Sequence, residues 1–311
     1  MRAPGHRGEH SHPAHAANGL GFEAAQIAAA FAMPAPAMAQ RLVRAKRRIR
    51  DARIPFAVPS RQDMPGRLPA VLEAIYGAYA IDWMPTSGSA VQIRTSLAAE
   101  SLYLASTLAA LLGDEGEAFG LAALIALSLS RADARHDSHD RPVPLDEQDT
   151  ALWDASLIAS GEAWLRRAHA LGGIGRFQLE AAIQSVHCAR AVSGSTDWAT
   201  LRVLYEALVR VAPTLGARVS LAATIGRLDG ADAGLAALDR ITDAALTRFQ
   251  PAWATRAHLL AASGRVNEAR RAYEKTISLT TDPGTRQYLS TRAAALGSDR
   301  HSPDVRQEAS T

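Results

Sequence analysis

The chain has 311 residues, a net charge of +3, 48% hydrophobic and 21% charged residues, and one cysteine, Cys188. Such a composition indicates a soluble protein that can bury one large core or two modest ones, and a single thiol excludes an intramolecular disulfide or a CxxC pair. Long Ala- and Leu-rich stretches between clustered Gly and Pro favour helices over a parallel sheet. We therefore predict an all-α, cytoplasmic protein without a membrane span, because the longest apolar run, Leu121 to Leu127, is far shorter than the roughly 20 residues required.

The positive charge is concentrated near one end of the chain. Residues 1–55 carry nine Lys or Arg against three acids, so this part has a charge of +6 and everything downstream a charge of −3. Six of the nine cations fall between Arg41 and Arg50. A short basic stripe of this kind is typical of a surface that faces phosphate, and a merely solvated helix face is the alternative.

The first predicted segment, residues 1–20, has no apolar periodicity and is predicted to be a disordered tail. It contains four histidines, at positions 6, 10, 12 and 15. Because no fixed frame would hold them in a coordination geometry, we predict no metal site there and no cofactor for the chain.

Two short helices follow within residues 21–53. Phe22 to Phe31 has one apolar side and ends before Pro34, and a second helix over 36–50 places Met38, Leu42, Ala45 and Ile49 on one stripe. Basic side chains cover its other faces. Two short helices joined by a tight turn, the second of them basic, are typical of a helix-turn-helix whose second helix enters the major groove of DNA.

The prolines at 55 and 59 predict an extended linker over residues 54–66, because a proline disfavours helical geometry in its predecessor. A helical extension domain is then predicted over 67–174. Its helices are expected from Arg67 to Trp83, from Leu97 to Leu111, and through the apolar stretch Phe119 to Leu129 with Asp114 as the N-terminal cap.

Residues 136–149 form a predicted acidic loop with five carboxylates, placed before a helix that holds Trp153, Leu157, Trp164 and Leu165. The acids suggest a divalent cation or a catalytic carboxylate pair. We favour a solvated, capping loop, because there is no glycine where a calcium loop needs one.

Residues 175–296 are predicted to form tetratricopeptide-like helical repeats, followed by a disordered tail over 297–311. Tyr205, Leu238 and Tyr273 are spaced by 33 and 35 residues, close to the roughly 34 of such units. In the last unit the sequence pattern assigns a large, small or turn residue to each packing position. These positions are Trp253, Ala257, Leu260, Gly264, Ala269 and Tyr273.

No catalytic residue is predicted. Cys188 follows His187, but neighbours on a helix point about 100° apart and cannot share a proton. Residues 193–195 lack the flanking pattern of a nucleophile elbow, so we interpret them as a connector. The chain is therefore predicted not to be an enzyme.

A resemblance adds to this interpretation. The segment from Phe22 to Val58 (FEAAQIAAAFAMPAPAMAQRLVRAKRRIRDARIPFAV) resembles the end of the promoter-reading domain of extracytoplasmic-function sigma factors. The subgroup it is similar to has a long C-terminal helical, tetratricopeptide-like extension. The similarity continues through RLPAVLEAIYGAYAIDW, RPVPLDEQDTALWD, GRFQLEAAIQSVH and TDWATLRVLYEAL to the unit around Trp253.

The resemblance implies a DNA-binding sigma factor that acts in transcription initiation. Its partners would be promoter DNA, core RNA polymerase and a regulatory protein or peptide on the helical repeats. It implies base contact by Gln40 and phosphate contact by the basic residues of the helix. These basic residues are Arg41, Arg44, Lys46, Arg47 and Arg48.

Two interpretations of the function stay open: a DNA-binding sigma factor and a scaffold that does not bind DNA. The family's N-terminal promoter-melting domain has no counterpart before residue 21, so we expect a truncated or degenerate sigma factor. The turn into the basic helix also has Ala35, Pro36 and Ala37 where the family usually offers carboxylate and hydroxyl groups, which predicts weak DNA affinity. The alternative is a helical-repeat scaffold or regulator that does not bind DNA.

Overall fold

The protein is described here from a computed structural model, which describes residues 35–51, 63–83 and 91–296. Within these ranges every regular element is helical, so the prediction of an all-α fold is confirmed. The predicted tails and the first helix of the helix-turn-helix, residues 22–31, lie outside the described residues, as does the linker up to residue 62. Residues 64–66, the end of the predicted linker, are already helical.

The chain divides into two compact units. The first comprises residues 1–134 and 149–197, and the second comprises residues 135–148 and 198–311. The repeats were predicted to begin at residue 175, whereas the structure assigns the helix that starts there to the first unit. The acidic loop, although it lies between two helices of the first unit in sequence, belongs to the second.

The first unit contains seven of the described helices. They are α1 (Ala35–Asp51), α2 (Met64–Trp83), α3 (Val91–Leu112), α4 (Gly116–Leu129), α5 (Ala155–Ala170), α6 (Arg176–Cys188) and the single turn α7 (Arg190–Ser193).

Helix α4 lies at the centre of the first unit because its sequence is apolar on every side. All residues from Gly120 to Ser128 are buried, and α2, α3, α5 and α6 pack around them. Small residues permit this close packing: a Cβ added at Gly161 of α5 would lie 2.6 Å from the Leu127 side chain. A helix that is hydrophobic all round is stable only when neighbours surround it, as they do here.

The start of α4 corrects one expectation. Asp114 was predicted to cap this helix, but the N-cap residue is Glu115, and its side chain makes no capping hydrogen bond. The acid that acts at a helix terminus is instead Glu117, whose carboxylate accepts hydrogen bonds from the backbone N–H groups of Phe177 and Gln178 in the first turn of α6, each at 3.0 Å. These two hydrogen bonds join α4 to α6, and they satisfy two backbone N–H donors that the first turn of a helix leaves without a partner.

The second unit contains the acidic loop and six further α-helices among the described residues. These helices are α8 (Trp198–Val211), α9 (Leu215–Asp229), α10 (Ala231–Asp239), α11 (Gln250–Ala262), α12 (Val266–Leu279) and α13 (Pro283–Ala295).

Each helix of the second unit packs on the next one in sequence, and α9 also packs on α11. A close approach joins α9 and α10, where a Cβ added at Gly234 would lie 2.7 Å from the Cα of Gly226. Tyr205, Leu238 and Tyr273, the residues that suggested a repeat, fall in α8, α10 and α12, which are alternate helices of this stack.

Candidate nucleic-acid interface

Helix α1 carries six cationic side chains and one acidic residue, Asp51. The six cations are all exposed. They are Arg41, Arg44, Lys46, Arg47, Arg48 and Arg50. The Arg47 guanidinium lies 3.6 Å from the carboxylate of Asp51, but both side chains are largely exposed, so this pair contributes little stability. Helix α1 therefore presents a strong local excess of positive charge to solvent.

The opposite side of α1 is packed. Met38 is fully buried and Leu42 is 6% exposed. Because successive residues of an α-helix are rotated by about 100°, Arg44 and Arg47 lie roughly opposite this apolar side. The helix is thus held by one side and offers the other to a partner.

The structure places the predicted DNA-contacting residues together on this single helix. Gln40 and the five predicted cations are all exposed, and Gln40 lies on the same side as Arg44 and Arg47. The turn that would precede α1 in a helix-turn-helix lies outside the described residues.

Two exposed residues of α1 were given no DNA-contacting role in the sequence analysis. Arg50 continues the basic stripe, and its signal was the same run of cations. Val43 is 65% exposed within the basic face, although its residue type suggests burial. An exposed apolar side chain on a groove-facing helix can contact the methyl group of thymine. The sequence signal for the exposure of Val43 was its position between Leu42 and Arg44, outside the apolar stripe of the helix.

The six predicted repeat-packing residues also lie close together, in or beside α11 and α12. Ala257 and Ala269 are completely buried, and Leu260 and Tyr273 are nearly so. Gly264 has a φ of +73°, the left-handed conformation that a tight turn between the two helices requires and that glycine adopts without a steric penalty. Trp253 is half-buried, and its indole N–H donates to the carbonyl of Thr247 at 3.2 Å. All six thus lie at or beside the contact between α11 and α12.

His187 and Cys188 are both buried in the first unit. The Cys188 thiol lies 3.5 Å from the carbonyl of Leu127 and 3.7 Å from the Ser130 hydroxyl, and burial raises its pKa. Burial, reinforced by the positive charges of Arg131 and Arg190, lowers the pKa of His187 to about 4. A neutral histidine beside a protonated thiol is not an activated nucleophile.

The acidic loop was expected to be a solvated, capping loop; most of its acids are exposed and one is a cap, and it also makes ion pairs within the second unit. Asp137 accepts hydrogen bonds from Arg141, the backbone bond being the larger influence, and its pKa falls to about 2. Asp146 and Glu147 pair with arginines of the second unit. Asp149 caps the single 3-10 turn before α5. Within the described ranges, no group of three or more potential ligands is arranged to hold a metal ion.

Trp153 requires a correction. It was expected inside the helix that follows the acidic loop, but α5 begins only at Ala155, because Asp154 accepts hydrogen bonds from the backbone N–H groups of Ser156 and Leu157 and caps the helix there. The ring of Trp153 lies instead beneath two guanidinium groups, 5.9 Å from Arg131 and 5.1 Å from Arg190.

A partly buried ionic cluster in the first unit had no clear sequence signal. The Arg176 guanidinium lies 2.6 Å from Glu73 and 2.8 Å from Glu180, and 4.6 Å from the centre of the Tyr76 ring. Burial raises the pKa of Tyr76 to about 12 and also raises that of Glu180. Only the pair at i and i+4, Arg176 and Glu180, was visible in the sequence. Since Glu73 lies on α2, the cluster joins α2 to α6.

Comparisons with known proteins identify similar chains without a described activity. Residues 67–169 match the model of a family of unknown function, DUF6596, a range that takes in most of α2 to α5. The chain is 33% identical over 269 residues to an uncharacterized protein, R00370, of Rhizobium meliloti (strain 1021). That alignment covers 86% of this chain and 63% of the relative, so the chain spans less than two thirds of the relative's length. No solved structure matches the chain. None of the helices in the described ranges is both long and apolar enough to cross a bilayer.

Proposed function

We propose that this chain is a sigma factor-like protein of transcription initiation. Helix α1 binds promoter DNA, and the helical units bind core RNA polymerase or a regulatory protein. The observation that supports this proposal best is the two-sided character of α1, with six exposed cations around a single acid and with Met38 and Leu42 buried behind them.

The charge on α1 suits a phosphate backbone. Arg41 and Arg50 are nine residues apart, which is about 14 Å along a helix, and duplex DNA carries one negative charge per roughly 1.7 Å of its axis. Phosphate contacts of this kind supply affinity and orientation but no sequence preference. Sequence discrimination would come from Gln40, whose amide can make two hydrogen bonds to an adenine edge in the major groove, and from Val43 against a thymine methyl group.

A protein-interaction scaffold is the second candidate. It is favoured by an open, mainly apolar groove in the second unit, which is lined in part by Val209, Pro213, Leu221 and Ile241 and has a volume of about 360 Å³. Stacked helix pairs commonly bind extended segments of other proteins on such surfaces. In this account α1 is a solvated face and makes no contact with DNA.

A salt titration separates the two candidates. The complete chain would be mixed with a fluorescent pool of random 25-base-pair duplexes, and anisotropy would be measured from 50 to 200 mM salt. With about six phosphate contacts, affinity should fall by roughly a thousandfold over this range, because neutralised phosphates release bound counterions. Absence of binding at 50 mM salt would reject the DNA-binding proposal and favour the scaffold.

Sequence preference and polymerase binding test the sigma-like role itself. Repeated selection from the random pool should enrich one short motif, and the purified chain should be retained on immobilised core RNA polymerase. Binding of DNA without an enriched motif, together with no retention on polymerase, would leave a nonspecific basic helix and contradict the proposed function.

A further inference from the structure

The acidic loop contains a short segment, Arg141 to Glu147, that lies against helices of the second unit and ends in a turn over residues 145–147. The loop is shaped by its own hydrogen bonds. The Asp137 carboxylate accepts from the backbone N–H groups of His139 and Arg141, both at 2.9 Å, and the Val143 N–H donates to the carbonyl of Arg135 at 2.8 Å. We call residues 141–147, with the sequence RPVPLDE, the RPVPLDE segment.

The RPVPLDE segment is attached through its two acids. Asp146 pairs with Arg227 of α9 at 2.5 Å, and the Arg227 guanidinium also lies 5.2 Å from the centre of the Trp198 ring, which holds it in position. Glu147 lies 3.8 Å from the guanidinium of Arg292 on α13. Two arginines on two different helices thus bind two consecutive carboxylates of one turn.

The helix that carries Arg292 is also shaped for this approach. A Cβ added at Gly284, in the first turn of α13, would lie 2.5 Å from the carbonyl oxygen of Asp140. Glycine at this position is therefore required for the loop to approach so closely. The fit between the loop and α13 depends on backbone shape as well as on charge.

The contact is nevertheless weakly held. Pro142, Val143 and Pro144 face Tyr288 of α13 across a cleft of about 230 Å³ that side chains do not fill, whereas protein interiors contain few voids larger than a water molecule. The four charged side chains of the two ion pairs each remain 43–53% exposed. Exposed pairs of this kind contribute little. The segment therefore rests on a surface that fits it but does not bury it.

We propose that this surface, formed by Arg227, Arg292 and Tyr288, is a binding site for an acidic, proline-containing segment of another protein. The chain's own RPVPLDE segment occupies the site as an internal competitor. A partner segment with two consecutive acids after an apolar, proline-flanked stretch displaces it. This inference is independent of whether α1 binds DNA.

The test uses the complete chain and a fluorescent peptide, RPVPLDEQ, that copies residues 141–148. Two variants vacate the site by different means: Asp146→Asn with Glu147→Gln removes the charges of the internal segment, and Gly284→Ala leaves every charge in place but obstructs its approach. The peptide should bind the charge-neutral variant about tenfold more tightly than the unaltered chain, because a tethered competitor acts at a high effective concentration. Gly284→Ala should also free the arginines for the peptide's two acids.

Controls on both partners make the result specific. Asp232→Asn with Glu274→Gln, which neutralises two exposed acids elsewhere in the second unit, should leave peptide binding as weak as in the unaltered chain. Arg227→Glu with Arg292→Glu, added to the charge-neutral variant, should abolish binding of RPVPLDEQ and allow binding of RPVPLKKQ. Thermal unfolding of each variant verifies that it is folded.

Three results would overturn the proposal. The first is equal affinity of the peptide for the unaltered chain and for both vacated variants. The second is no binding by either folded variant. The third is equally tight binding of a scrambled peptide of the same composition, which would show that the surface is merely basic. If the charge-neutral variant does not fold, Gly284→Ala alone decides between these results, since it retains all charges.

Discussion

Helix α1 and the helices of the second unit carry arginine in different ways. On α1, six cations surround one carboxylate and all six are exposed. In the second unit several arginines have a carboxylate in contact within the same unit. These pairs are Arg202 with Asp229, Arg227 with Asp146, Arg256 with Asp239, Arg265 with Glu268, and Arg292 with Glu147.

The difference teaches that arginine content alone does not mark a nucleic-acid surface. An arginine that already contacts a carboxylate has part of its charge compensated and must lose that contact to bind phosphate. A helix with six cations and one acid keeps a large uncompensated positive charge, which favours interaction with an external anion. The distribution of acids around the cations therefore distinguishes the two regions.

The largest effect is expected when one new arginine is placed in each region. Ala269→Arg would insert a long charged side chain at a completely buried contact of α12, and it should unfold the C-terminal helices, at a cost of more than about 4 kcal/mol. Val43→Arg adds the same residue to the exposed face of α1 and should change stability by less than about 0.5 kcal/mol.

Thermal and urea unfolding of the two variants provides the comparison. Equal stability of Ala269→Arg and the unaltered chain would show that α12 is not packed through this residue and would argue against the repeat interpretation. A severe loss in Val43→Arg would mean that the face of α1 is occupied within the protein.

A smaller loss is expected when a buried cation is removed. Arg176→Leu leaves the carboxylates of Glu73 and Glu180 without their shared partner in a poorly hydrated position, which should cost about 3 kcal/mol at pH 7. Arg47→Leu on α1 removes a largely exposed pair and should cost less than about 1 kcal/mol. Urea unfolding at pH 7 measures the stability loss in each variant. Similar losses would show that Arg176 and Arg47 do not differ in what they contribute to the fold.

The buried side chain of His187 tests whether burial keeps a titratable group neutral. Its pKa is about 4 in the folded chain against 6.5 ordinarily, so the unfolded chain binds the proton first as the pH falls. The stabilising contribution is complete above about pH 6.5, decreases as the pH falls and is lost by about pH 4, with a total of about 3 kcal/mol.

His187→Gln removes this titration, so urea unfolding of that variant should depend less on pH between 6.5 and 4 than unfolding of the unaltered chain. The exposed arginines of α1 do not titrate in this range. Identical pH profiles of the two chains would show that His187 is not held neutral by burial.

Much of the fold could be predicted from periodicity. The basic helix was expected over 36–50 and is found over Ala35–Asp51, and the apolar stretch that ends at Leu129 is central because nearly every residue in it must be buried. The alternation of Tyr205, Leu238 and Tyr273 placed them correctly on alternate helices. These successes share one cause, since local spacing alone determines which side of a helix is apolar.

Contacts between distant parts of the chain could not be predicted in this way. Asp146 and Arg227 are 81 residues apart, and nothing in either local pattern pairs them. For the same reason the ion pairs of the acidic loop were not predicted. Trp153 was assigned to the wrong side of a helix boundary because the capping role of Asp154, one residue later, was not recognised. The exposed state of the α1 cations was expected from composition, but the DNA contact itself stays a prediction.

The most direct test of the central claim reverses charge in each region and compares DNA binding. Arg44→Glu with Arg47→Glu changes the face of α1 opposite Met38, and Arg210→Glu with Arg270→Glu makes the same change in net charge on exposed arginines of the second unit. The α1 variant should reduce the steepness of the plot of log affinity against log salt by about two and weaken binding at 50 mM salt by at least about a hundredfold. The control should retain the slope and affinity of the unaltered chain. Equal slopes in all three chains, or a larger loss in the control, would contradict the claim that α1 is the DNA-binding helix.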